Sequence, residues 1–316
     1  MLASSVREVM DKISVAADRS KAVVGQREIE AETPRELRRL LSEAIYDVFH
    51  SGQEPGRVPT RLRDEGLEAR LAAVVPHREI IAPARVRSAV ESDDKGESRI
   101  LVEREGVRFW IPLAALGTAE PVEGAVAEVT LPSARAGLSP GFFLVDGSRQ
   151  RRGGQGVLRV YVNVWNVDDV VGVWGAALTF LEDRGLPYRA KVLSAPELYP
   201  RRDAVVVYLD AEHAQAAPDL ATHVGGLPGV RADVSAFTEE LRPGVATAWE
   251  PADPHSGRQG LSFGQHRASV LATALIDSAG APDAGPGTAE RTVVEQFRQA
   301  GIDPAAPARN LTPSAA

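Results

Sequence analysis

Apolar residues recur at helical spacing through Leu37, Leu40, Leu41, Ala44, Ile45 and Val48, with Thr33 ahead of Pro34 and Gly52 near the far end. That pattern predicts a capped amphipathic helix and makes residues 1 to 75 a mostly helical amino-terminal region. From 76 to 150 the pattern shortens to strands divided by turn residues, as in "RILVEREGVRFWIPL", where Glu105-Gly106 separates two extended runs. An antiparallel β subdomain is expected there.

Residues 151 to 310 are the most legible. "RVYVNVW" alternates strictly, "DDVVGVWGAALTFLEDRG" is helical and ends at a glycine, "YRAKVL" and "DAVVVYLD" are extended, and "AEHAQAAPDLATHVGG" is helical again. A strand in "GVATAWE", a helix over about 263–279 and a last helix in "AERTVVEQFRQAG" follow, before a flexible tail at 311–316. The fold class is α+β: a helical amino-terminal region, a small antiparallel sheet and a central mixed α/β sheet with helices on one face.

Strand alternation gives the central segment two characters. Val160, Val162 and Val164 share one side, available to the helix at 168–184, and Arg159, Tyr161, Asn163 and Trp165 share the other. In the strand at 188–193, Arg189 and Lys191 again fall together. If the two strands pair under the same helix, Arg159, Asn163, Arg189 and Lys191 converge. Such a face is either plainly solvated or a site.

Composition narrows the choice. At 316 residues, 44% hydrophobic and 25% charged, the chain has the make-up of a globular protein. A net charge of −7 argues against a general nucleic-acid binder, and the lack of cysteine excludes disulfides, thiolate metal sites and thiol nucleophiles. No run approaches the ~20 apolar residues of a membrane span, so a cytoplasmic protein is expected. The histidines have no metal-ligand spacing, and no phosphate loop, dinucleotide fingerprint or nucleophile elbow occurs.

"SFGQHR", Ser262 to Arg267, fits a capping box through Ser262 and Gln265, and so opens a helix. Cations are disfavoured at that end, yet His266 and Arg267 stand there. One reading is that backbone groups at Phe263 and Gly264 help hold a phosphate; the other is a solvated helix start whose Arg bridges to Asp210 or Asp233. Arg201-Arg202-Asp203 is likewise either a second anion clamp or an ordinary basic strand edge.

"AIYDVFHSG", "SPGFFLVDGS", "LRVYVNV", "YRAKVL", "RRDAVVVYL", "GVATAWEP" through "SFGQHR", and "FRQAGIDP" occur in an order that resembles the HopA-type effector protein family, over about 40 to 310. The resemblance implies a lyase of lanthipeptide-type biosynthesis. It would remove phosphate from phosphoserine or phosphothreonine of a precursor peptide and leave dehydroalanine or dehydrobutyrine. A separate aminoglycoside-phosphotransferase-like kinase would install the phosphate, and no metal or organic cofactor is required. In this chain Glu239 stands where the family pattern leads one to expect Lys.

β-Elimination needs a base, a phosphate clamp and an acid. Lys191 is the candidate base, because neighbouring Arg189 disfavours its protonated form, and His266 is the candidate acid; the reverse, with His266 as base and Lys191 on phosphate, stays open. Arg159, Arg189, Arg202 and Arg267 are candidate phosphate ligands with the backbone of Phe263 and Gly264, and Tyr161 or Asn163 would orient the peptide. The rival class is a non-catalytic scaffold that binds peptide and kinase.

Overall fold

The computed structural model describes residues 1–53, 60–117, 121–152, 156–253, 255–280 and 287–311. The expected tail at 312–316 lies outside them. The structure is α+β, with antiparallel sheets of three, five and seven strands. Among the described residues no helix is long and apolar enough to cross a membrane.

The amino-terminal region is less helical than its apolar spacing predicts. Helices α1 (Ser4–Met10), α2 (Pro34–Ile45) and α3 (Glu65–Ala73) are joined by strands β1 (Ile13–Val15), β2 (Lys21–Val24) and β3 (Arg27–Glu30), which form the three-stranded sheet. These strands are only three or four residues long, too short for a period-two pattern to stand out. Thr33 caps α2 as expected, accepting the Glu36 N–H at 3.2 Å. The helix continues as a π turn over Tyr46–Ser51 and stops at Gly52, whose φ of 74° suits a residue without Cβ.

The small sheet comprises β4 (Glu79–Val86), β5 (Glu91–Ser92), β6 (Ser98–Arg104), β7 (Val107–Pro112) and β8 (Val126–Pro132). The next strands, β9 (Ala134–Ser139) and β10 (Phe142–Asp146), do not belong to it, so the expected boundary at 150 falls too late. They join β11 (Val157–Val164), β12 (Arg189–Leu193), β13 (Arg201–Asp210), β14 (Glu239–Arg242) and β15 (Val245–Trp249) in the order β14-β15-β11-β13-β12-β10-β9. Every pairing is antiparallel, which corrects the expected mixed sheet. Nor do β11 and β12 pair, since β13 runs between them.

Helices cover both faces of this sheet, where the sequence reading placed them on one. On the first face Val160, Val162, Val164, Val205 and Val207 close on Trp174 and Leu178 of α4 (Val167–Asp183), with α5 (Ala217–Val224) and α3 alongside. On the second, Tyr161, Val206 and Ala248 meet α2 and α6 (Phe263–Ala279), behind which lies α7 (Thr288–Gln299). Helix α6 is buried almost all round, His266, Arg267 and Ser278 included, as a helix wedged between layers must be.

Candidate functional site

A cavity of about 700 Å³ lies on the second face, between the sheet and the segment leading into α6. Arg159 and Tyr161 of β11, Lys191 of β12 and Tyr208 of β13 form its floor. The register explains why: Val206 stands opposite both Tyr161 and Lys191, and Tyr208 opposite Arg159, so alternation points all of them to one side. Tyr46 and His50 reach in from the π turn, and Glu250, Asp253 and Arg258 through Ser262 form the remaining wall.

Most of the cations here already have carboxylate partners. Arg201 grips Asp203 through Nε and Nη2, each at 2.7 Å, and Nη2 also donates to Tyr46 Oη at 2.8 Å. Burial works to raise the Asp203 carboxyl, but the Arg201 guanidinium outweighs it and the pKa falls to about 2. Arg159 holds Glu250 through Nε and, at 2.7 Å, Nη2. Arg258 donates to Asp253 Oδ2 at 3.4 Å. In both Arg159 and Arg201 the Nη1 group has no hydrogen-bond partner among the described residues.

Lys191 differs. Its Nζ sits 3.9 Å from the centre of the Phe142 ring, and it forms no ion pair with any described residue. Near it in register, Tyr161 Oη is buried beside the Arg159 guanidinium without a well-directed hydrogen bond. Burial pushes that phenol up, so it stays a neutral donor at any physiological pH. His50 donates to or accepts from Ser235 Oγ at 2.8 Å, and burial lowers it to about 4, leaving it neutral.

The structure brings together Arg159, Tyr161 and Lys191 of the residues chosen from sequence, and disperses the others. Arg189 shares their side of the sheet but turns to Asp146 at 2.6 Å and Glu105 at 3.0 Å. Asn163 donates to Asp233 O at 2.8 Å and Oδ1 at 2.9 Å, outside the cavity. Arg202 pairs with Asp233 at 2.8 Å and donates to the Val48 carbonyl at 3.0 Å, outside the cavity. In the Arg-Arg-Asp run, therefore, the first arginine belongs to the cavity and the second does not.

The capping box of Ser262 and Gln265 is present, and both residues line the cavity. The cations behind it have another explanation than a bound anion. His266 and Arg267 are fully buried. Arg267 donates to Pro307 O at 2.8 Å, Asn310 Oδ1 at 3.2 Å and His266 Nδ1 at 2.8 Å, so it anchors the carboxy-terminal segment. Because an arginine can only donate, His266 carries its proton on Nε2 and gives it to Asp253 at 2.8 Å. Burial, then Arg267, lowers His266 to about 4; burial lowers Arg267 to about 9. His266 is thus a neutral strut behind Asp253, out of reach of a substrate.

Phe263 packs beneath Tyr161 and His50, with ring centres 6.2 and 5.9 Å away. Gly264 serves the same packing: a Cβ there would lie 2.1 Å from His50 Cδ2, so the glycine makes room for an imidazole where the sequence reading made room for an oxyanion. Glu239 pairs with Arg309 at 2.9 Å on the surface. Sequence reasoning missed Tyr46, His50 and Glu250, and from the Arg201-Arg202-Asp203 run it took Arg202 as the phosphate ligand where Arg201 and Asp203 line the cavity. Tyr46 and His50 stand four apart on the predicted helix, a spacing that puts them on one face and was an available signal.

No curated protein matches this chain. The effector protein of Pseudomonas syringae pv. tomato strain DC3000 aligns with it at a TM-score of 0.48 and 14% identity, covering 90% of this chain and 92% of that one. The effector of Pseudomonas syringae pv. syringae strain 61 gives 0.48 and 15%, covering 88% and 93%. The model of the HopA1 effector protein family matches residues 133–309. That span begins at β9 and takes in the whole seven-stranded sheet with α6, hence all the cavity residues except Tyr46 and His50. Over more than half its length, including the strands that carry Arg159, Tyr161 and Lys191, the chain belongs to the HopA1 effector protein family.

Proposed function

We propose that the chain is a phosphoserine/phosphothreonine lyase, acting on a ribosomally made precursor peptide that a separate kinase has phosphorylated, in lanthipeptide-type maturation. The observation that carries this reading is Lys191, an amine on the floor of a polar cavity, without a carboxylate partner among the described residues. As the free amine, Lys191 takes the Cα proton. The electron pair left behind forms the Cα–Cβ double bond as the Cβ–O bond breaks, and phosphate departs with the electrons of that bond. The Nη1 groups of Arg159 and Arg201 bind the phosphate, as guanidinium groups suit it. The neutral Tyr161 hydroxyl donates to the departing oxygen, the role that His266 cannot fill from its buried position.

The pairing of Arg159 with Glu250 and of Arg201 with Asp203 favours a second reading, since it neutralises charge that a lyase would apply to phosphate. In that case the protein is a scaffold that binds peptide and kinase without turnover. Purified protein incubated with a phosphothreonine precursor peptide separates the two. The lyase releases phosphoric acid, seen by mass spectrometry, and Lys191→Met slows release by at least ~100-fold with an unchanged melting temperature. Phosphopeptide that binds and stays intact selects the scaffold.

A further inference from the structure

A groove of about 660 Å³ lies between the small sheet and the central one. Val107, Phe109 and Trp110 of β7 form one wall, and Ala134, Arg135 and Leu138 of β9 the other. Leu138, Val107 and Trp110 are 47%, 49% and 40% exposed. Both strands are edges: β7 pairs only with β6, and β9 only with β10, among the described residues. Each presents backbone N–H and C=O groups with no strand beside them, the arrangement that accepts an extended chain.

At the inner end of the groove, charge is unbalanced. Arg104, Arg135 and Arg189 converge on Asp146, at 3.6, 3.0 and 2.6 Å. Glu105 is the second carboxylate present, 3.0 Å from Arg189 and 3.5 Å from Arg104. Three guanidinium groups thus face two carboxylates, and Arg104 Nη1 and Arg135 Nη2 share Asp146 Oδ2 between them without a well-directed hydrogen bond. Burial, then the charge of Arg135, also lowers the proton affinity of Arg104, the mark of crowded cations. The cluster keeps one guanidinium charge in excess, which a carboxylate at the exposed part of Arg135 would balance.

The groove and the cavity of Lys191 are lined by adjoining residues of β9. Ser139 lines the cavity and Leu138 the groove. Arg135 stands opposite Leu144, and Leu144 opposite Lys191, so the three form one row on one side of the sheet. Two strand spacings place Arg135 about 10 Å from Lys191, roughly three residues of extended chain.

We infer that this groove docks an extended segment of the peptide, with a carboxylate side chain on Arg104 and Arg135 and an apolar side chain against Leu138 and Trp110. The position of that carboxylate, about three residues from the reacting one, rests on the reading of the Lys191 cavity as the reaction site.

Fluorescence anisotropy with a labelled, unphosphorylated peptide carrying Glu and Leu at alternate positions tests the docking without turnover. Saturable binding is expected, weakened about tenfold by Glu→Gln in the peptide and by Arg135→Gln or Leu138→Glu in the protein, and unchanged by Arg202→Gln. Leu138 is exposed, so its variant reports on the groove even if Arg135→Gln disturbs the ion cluster. Equal affinity for all peptides and variants overturns the inference. Flank-dependent binding without elimination from the phosphorylated peptide sinks the lyase reading alone; elimination indifferent to the flank sinks the docking alone.

Discussion

The two faces of the central sheet are written in alternate residues of the same strands, yet one is a core and the other holds a cavity. On the first, Val160, Val162, Val205, Val207, Ala190 and Val192 are short enough for α4 to press Trp174 directly onto them. On the second, Arg159, Tyr161, Lys191 and Tyr208 are long and polar, and α6 approaches only where Tyr161, Phe263 and His50 fill the gap. Side-chain length decides which face closes. The valine face is closed packing throughout, whereas the tyrosine face packs around its margins and leaves a polar cavity open.

Removing the largest side chain of the valine face has the greatest expected effect. Trp174→Ala should lower unfolding free energy by about 3–5 kcal/mol in denaturant titrations, since Trp174 is fully buried. Well below its melting temperature the variant should bind phosphopeptide as the parent does. A comparable loss of affinity would mean that the two faces are not separable.

Acid should attack the tyrosine face next. His50 and His266 are held at about 4 by burial, against 6.5 for a free imidazole. Between those values the unfolded chain binds protons that the folded chain refuses, so stability is full above pH 6.5 and falls as pH drops toward 4. Each histidine contributes on the order of 3 kcal/mol to that fall. Asp203 and Asp253, at about 2, extend it below pH 4, as their carboxylates lose partners on protonation. A urea midpoint that stays flat from pH 7 to 4 would contradict neutral burial of both imidazoles. Trp174→Ala should lower the whole curve and leave its slope alone.

The contrast between the faces was legible in the alternation of "RVYVNVW", which fixes Arg159 and Tyr161 on the side away from the valines without any knowledge of topology. Lys191 was legible for the same reason. Pairing was not: no local pattern says that β13 separates β11 from β12, or that β9 and β10 cross into the central sheet. The ends of the cavity were misread because partners distant in sequence decide them. His266 looks available in "SFGQHR" until Asp253 and Arg267 take both its nitrogens, and Arg267 looks like an anion ligand until Pro307 and Asn310, some forty residues on, take its donors. Gly264 was read as space for a ligand, and the space exists, but His50 occupies it from a helix more than two hundred residues earlier.

The smallest expected effect is the one that most sharply tests the assignment of faces. Arg201 and Arg202 are adjacent, equally basic and both follow a proline, so sequence offers no ground for choosing between them. Alternation back from Tyr208 and Val206 would give the cavity Arg202, but the register of β13 against β11 shifts between Val162 and Val164, and it is Arg201 that reaches Asp203 and Tyr46 beside the cavity, while Arg202 goes to Asp233 and the Val48 carbonyl outside it. The Asp233 side chain is 57% exposed, so solvent screens the pair and its contribution is ~0–1 kcal/mol. Arg202→Gln should accordingly shift stability by no more than about 1 kcal/mol and leave phosphopeptide affinity untouched in the same anisotropy assay. A tenfold loss of affinity would return Arg202 to the site, and the claim that the register shift in β13 leaves only the first arginine on the cavity would fail.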